Sequence, residues 1–225
     1  MARLPRLVLP GEAHYLIQRA QAGLGEAGIC ADAVDRAAFA GALREAAAAE
    51  GVQVHAYALL PSELQLLATP ALAPALGRMV QALGRRYVSA YNRRHGRRGT
   101  LWEGRFRCAV VEPGATRLAV LRLIDGQPVV DAGLSSAPHR NGGPRDPLLQ
   151  DPPEVWQLGN TPFEREAAYR ALLAQGLPHA QAEALRLAAL GGWAAGSASF
   201  AAGVAKAAAR PARPRPRGRP RLAPS

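Results

Sequence analysis

Apolar positions first cluster at "HYLIQRA" (14–20), a stretch of strand length. Two similar stretches follow, "VQVHAYALL" (52–60) and "ELQLLAT" (63–69), meeting at a Pro61-Ser62 turn. Strand side chains alternate between faces, so Glu63 and Gln65 project side by side while Leu64, Leu66 and Ala68 face the other way. Between the first two strands, "DAVDRAAFAGALREAAAAEG" (32–51) predicts a helix with Asp32 as N-cap and Gly51 as its stop. Val34, Ala38, Leu43 and Ala47 approximate its apolar stripe. A second helix is predicted over 72–95, with Leu72, Leu76, Met79, Val80, Leu83, Tyr87 and Val88 at helical spacing. "RFRCAVVE" (105–112) then reads as a strand and "GATRLAVLRLID" (114–125) as a third helix. The order β-α-β-β-α-β predicts an α+β, ferredoxin-like fold, an antiparallel sheet with helices on one face.

The pattern changes after Pro128. Residues 1–130 form the predicted sheet domain, and 131–160 a Pro/Gly-rich connector that includes "SSAPHRNGGPRDPLLQDPPE". Ala-rich segments over 161–204 predict a small C-terminal helical appendage. The segment 205–225, ending "RPARPRPRGRPRLAPS", predicts a disordered Arg/Pro tail, since alternating proline and arginine build no core. The "GGWAAGSAS" connection is too long for a helix-turn-helix turn, so Trp193 and Phe200 read as packing residues.

Composition excludes some classes. Apolar residues make up 48% of the chain, enough for a core, yet no run approaches the ~18 consecutive apolar residues of a membrane span. The N-terminus has no secretory pattern, and Cys30 and Cys108 match no metal or redox spacing, so a cytoplasmic protein is expected. Net charge is +11, and Lys206 is the only lysine among 28 basic residues. The charge is concentrated: residues 78–107 hold nine arginines against one acid, Glu103, and 205–225 hold seven basic residues and no acid. Two basic segments on an otherwise mildly acidic body imply a polyanionic partner, with nucleic acid the first candidate.

In "LGRRYVSAYNRRHGRRGTLWEGRFR" (83–107), arginines alternate with aromatics. Arginine grips phosphates, and flat rings offer platforms for unpaired bases. The candidate contacts are Arg85, Arg86, Tyr87, Arg93, Arg94, Arg97, Arg98, Trp102 and Arg105. In the tail, "PRGRP" (216–220) has the core of an AT-hook. Arg217 and Arg219 flank Gly218, which suits the minor groove of AT-rich duplex DNA; a generic polycation reads equally well.

"ARLPRLVLPGEAHYLIQR", "VQVHAYALLPSELQLL", "LGRRYVSAYNRRHGRRGTLWEGRF", "LIDGQPV" and "GGWAAGSASF … RPRGRPR" together resemble successive blocks of the REP-associated tyrosine transposases of the HUH superfamily. The resemblance implies a ferredoxin-like domain that recognises hairpin or single-stranded DNA, with a homodimer as candidate assembly and a nucleoid-associated location. It also implies chemistry. Two strand histidines around an apolar residue bind a divalent metal such as Mg, and a helical tyrosine attacks the phosphodiester. Where the family reads Pro-Asn-His-apolar-His, this chain reads Pro61-Ser62-Glu63-Leu64-Gln65. Where the family places its nucleophile in Arg-Tyr-Ile-Glu/Asp, this chain has Arg122-Leu123-Ile124-Asp125. Glu63, Gln65 and Leu123 are thus degenerate catalytic positions. The expectation is DNA binding without strand cleavage, without a metal and without a cofactor. The alternatives are an active enzyme with a rewired site and a displaced tyrosine (Tyr87 or Tyr91), and a non-functional relic.

Overall fold

A computed structural model describes residues 5–24, 28–129 and 131–214. The elements run β1 (His14–Arg19), α1 (Ala33–Glu50), β2 (Val52–Leu60), β3 (Glu63–Pro70), α2 (Ala75–Arg94), β4 (Arg107–Val111) and α3 (Ala115–Asp125). Then come the short α4 (Ala137–Arg140) and α5 (Pro153–Trp156), followed by α6 (Pro162–Gln175), α7 (His179–Gly191), β5 (Ala194–Ala195) and α8 (Ala198–Ala207). The sheet order is β2-β3-β1-β4-β5. Its first four strands pair antiparallel in the ferredoxin-like order, and β5 adds a short parallel edge that makes the sheet mixed.

Local chemistry sets the boundaries. The Asp32 carboxylate caps α1 by accepting from the backbone of Val34 and Asp35, and Gly51 closes the helix in a left-handed conformation. α2 begins at Ala75, so Leu72 falls before the helix and is exposed, outside the stripe its spacing predicted. In β2 the register shifts between Val54 and Ala56, a bulge at His55. The extra residue lets Val54 and Tyr57 both face α1 and α2, while Ala56 and Ala58 face the opposite side. His55 Nδ1 donates to the Gln150 carbonyl at 2.7 Å, and Nε2 accepts from the Thr69 hydroxyl at 2.9 Å.

Both faces of the sheet are apolar, and both are covered. Leu16, Leu64 and Leu66 pack against Phe39 and Leu43 of α1 and Leu83 and Tyr87 of α2. Tyr15, Ile17 and Leu67 point the other way, against Val120 and Ile124 of α3 and Leu185 and Ala189 of α7. The C-terminal helices thus include one, α7, that packs directly on the sheet. Without α3 and α7 the second face would expose a continuous apolar surface, so the late helices belong to the core.

The Pro/Gly-rich connector is pinned rather than slack. The buried Arg140 guanidinium reaches Asp125 at 3.2 Å and Asp151 at 2.7 Å, and also donates to the His55 carbonyl. Asp125 accepts in addition from Tyr169 Oη at 2.6 Å and from the Ser136 hydroxyl. Tyr57 Oη donates to Asp146 at 2.9 Å. A buried cation shared by two carboxylates satisfies groups that would otherwise be costly to enclose. The end of the tail, with Arg217, Gly218 and Arg219, lies outside the described residues.

Candidate nucleic-acid interface

α2 carries Gly77, Gln81, Gly84, Arg85, Val88 and Asn92 at helical spacing along one side, and the loop 99–106 lies opposite. The loop is stitched in place. Asn92 Nδ2 donates to the Gly99 carbonyl at 2.7 Å, Gln18 Nε2 to the Gly104 carbonyl at 3.1 Å, and the Glu103 N–H to the Arg19 carbonyl at 2.9 Å. The Trp102 indole reaches across to Gly84, where a Cβ would stand 3.5 Å from its nitrogen. Arg6 stacks 3.9 Å above the Phe106 ring. Between helix and loop is a groove of about 570 Å³. A second hollow of about 730 Å³ shares Arg6, Gly77, Gln81, Arg105 and Phe106 with it, so the two are continuous.

The candidate arginines divide by partner. Arg85 and Arg105 are exposed, line the groove and make no ion pair among the described residues. Arg86 pairs with Glu45 of α1 at 2.6 Å. Arg94 clamps Asp32 and lies 2.7 Å from Asp35, which is itself 2.9 Å from His95. These two arginines therefore hold α2 to α1. Arg93 and Arg98 are exposed at the end of α2, outside the groove, and Arg97 is half-buried beside them. Tyr87 is corrected: it is fully buried, edge-on to Phe39 at 5.3 Å, and its hydroxyl donates to the Ile29 carbonyl at 2.5 Å. No face of that ring is open to a base. Trp102 is 9% exposed and serves as wall more than as platform. Sequence reasoning passed over Arg6, Gln18, Gln81 and Asn92; the signal available was the Gly77–Gly84 spacing, which leaves one flank of α2 low enough to form a groove.

On the opposite face of the sheet, β3 presents Glu63 and Gln65 side by side as its alternation required, but beneath α7 instead of in solvent. Arg186 of α7 forks onto the carboxylate, Nη1 to Oε1 at 2.5 Å and Nη2 to Oε2 at 2.7 Å. Gln65 Nε2 donates to Glu63 Oε1 at 2.7 Å, and Tyr15 Oη donates to Gln65 Oε1 at 2.8 Å. Burial pushes the Glu63 carboxyl up, but the hydrogen bonds from Arg186 and Gln65 outweigh it and hold the group low. Leu123 is half-buried on α3 and packs into the apolar cluster of this same face. A divalent cation does not fit here. The one carboxylate has both oxygens on a guanidinium, the amide oxygen is taken by a phenol, and the positive charge is already supplied. Among the described residues no group of three or more His, Cys, Asp or Glu is placed to hold a metal. No helix among them is long and apolar enough to cross a membrane.

The tyrosines are uniformly enclosed. Tyr15, Tyr57, Tyr87, Tyr91 and Tyr169 account for all five in the chain, and each is buried. Their hydroxyls donate to Gln65, Asp146, the Ile29 carbonyl, the Gly28 carbonyl and Asp125 respectively. Desolvation raises the pKa of all five.

No family profile matches the sequence, and no curated protein matches it. Among solved structures, a REP-associated tyrosine transposase bound to a REP hairpin is similar to this chain at 13% identity and a TM-score of 0.48. The match covers 68% of this chain and 92% of the other. The likeness is a distant one of fold.

Proposed function

We propose that this protein binds hairpin or single-stranded DNA through the groove between α2 and the 99–106 loop, and does not cleave it. The observation that carries the reading is the pair Arg85 and Arg105, unpaired and exposed on a groove with Trp102 and Phe106 in its lining. Such a surface takes backbone phosphates on its rim and admits an unstacked nucleotide between its walls. Arg93 and Arg98 extend the positive rim, and Arg217 and Arg219 in the tail add sequence-independent grip, including on AT-rich duplex. The absence of cleavage is supported by the tyrosines. A phenol that is buried, hydrogen-bonded and raised in pKa is a poor nucleophile, and Leu123 has no group with which to attack. The enzyme alternative, built on Tyr87 or Tyr91, needs a hydroxyl that reaches DNA; both are directed at backbone carbonyls inside the fold.

Gel-shift titration at two salt concentrations tests this, comparing a hairpin, an unstructured single strand and a duplex. The R85A/R105A variant should bind the hairpin and single strand about tenfold more weakly, with its log–log salt slope shallower by about 1–2. R86A, which loses only an ion pair to α1, should bind as the parent does. Equal losses in R86A and R85A/R105A would reduce the protein to a generic polycation. A metal-dependent covalent adduct on any strand would restore the enzyme reading.

A further inference from the structure

The Glu63–Gln65 pair is unusual in having a fixed occupant. A bidentate guanidinium on a carboxylate is the strongest ion-pair geometry available to side chains, and here it is supported by a chain of two more groups. Arg186 donates to both Glu63 oxygens, Gln65 donates to Glu63 Oε1, and Tyr15 donates to Gln65 Oε1. The four residues come from β1, β3 and α7, so the network ties two neighbouring strands to the helix that covers them. Glu63 is buried while the Arg186 side chain is 33% exposed, so the cation enters from the solvent side of the face and plugs it.

We propose that the Glu63 carboxylate, oriented by Gln65 and through it by Tyr15, is a cation-binding site whose resident cation is the Arg186 guanidinium, and that α7 is held on the sheet by filling it. The two acceptor oxygens of the carboxylate match the forked N–H groups of a guanidinium, while a divalent metal would find only one carboxylate and, beside it, an amide NH2 turned toward it. The site is independent of nucleic-acid binding, because it lies on the opposite face of the sheet from the groove. Removing Arg186 leaves a buried carboxylate without its hydrogen-bonded cation, with only the charge of Arg19 near it on the paired strand, a loss that a free guanidinium can make good.

The test is a set of melting curves on the full chain. R186A should melt about 5–10 °C below the parent. Adding low-millimolar methylguanidinium chloride should return part of that loss, whereas sodium chloride at equal concentration should not. E63Q should lower the melting temperature in the parent but raise it in the R186A background, because there it removes an unpaired buried charge. Manganese or magnesium should leave the parent's melting temperature unchanged. If R186A fails to fold, a cooperative melt of E63Q/R186A still supports the proposal. An unfolded double variant, a further loss from E63Q in the R186A background, no difference between the two salts, or a parent stabilised by divalent metal would each overturn it.

Discussion

His14 is fully buried in the centre of the sheet, and its Nε2 accepts from the Leu9 N–H at 3.2 Å. Burial lowers its pKa from 6.5 to about 4 in the fold. Unfolded, the ring takes a proton near pH 6.5; folded, it stays neutral until about pH 4. The neutral ring's contribution is therefore complete above pH 6.5 and is lost as pH falls toward 4, by ~3 kcal/mol at most. His55, lowered in the same direction first by burial, adds to the same acid limb. Denaturant melts across that range should show the limb, and H14Q should flatten it. A parent with level stability from pH 7 to 4 would contradict the buried, neutral ring. The same scale shows why Arg186 was not legible beforehand. Glu63 and Gln65 are adjacent by strand alternation, which sequence reveals, but their partner lies more than a hundred residues along the chain in an alanine-rich helix with no marked stripe.

Among the elements, the strands and first helices were the most readable, because period-two alternation and the Asp32 and Gly51 caps are local signals. The role of α7 was not, since alanine blurs helical periodicity and the face it covers belongs to distant strands. The order within the connector is hidden from sequence for a similar reason: it comes from Arg140, whose partners Asp125 and Asp151 lie on different segments. R140M should cost about 3–5 kcal/mol and open residues 131–151 to limited proteolysis, with D125N in the same chain recovering part of the loss. The loop before α1 depends on Gly28, which has φ +58 and whose added Cβ would lie 2.2 Å from the Pro61 carbonyl oxygen. G28A should therefore destabilise by about 2 kcal/mol or more, from backbone strain and from displacement of the carbonyl that Tyr91 uses. A melting temperature equal to the parent's would rule out that close approach.

For the molecule as a whole, the second helical layer decides what can be removed. A fragment ending at residue 130 lacks α7 and uncovers Tyr15, Ile17 and Leu67, so it should aggregate or bind a hydrophobic dye. A chain ending at residue 214 should melt within about 1 °C of the parent, yet it gives up Arg215, Arg217, Arg219 and Arg221. Where the chain arrives at that point matters. Ala212 is buried in one cluster with Leu7, and its carbonyl accepts from the Ala194 N–H at 2.8 Å. Arg210, just before it, shares a hollow of about 240 Å³ with Arg6, Arg105 and Phe106. The chain is still held at Arg213, whose guanidinium donates to the Gly196 carbonyl at 3.2 Å; on the proposed function, the four arginines that follow would be tethered near that end of the groove at high effective concentration. On the proposed function, a strand that leaves the groove should meet the tether before bulk solvent and be recaptured. That arrangement predicts an effect on residence time more than on choice of sequence: dissociation should quicken on truncation after residue 214, while the ranking of hairpin, single strand and duplex stays the same.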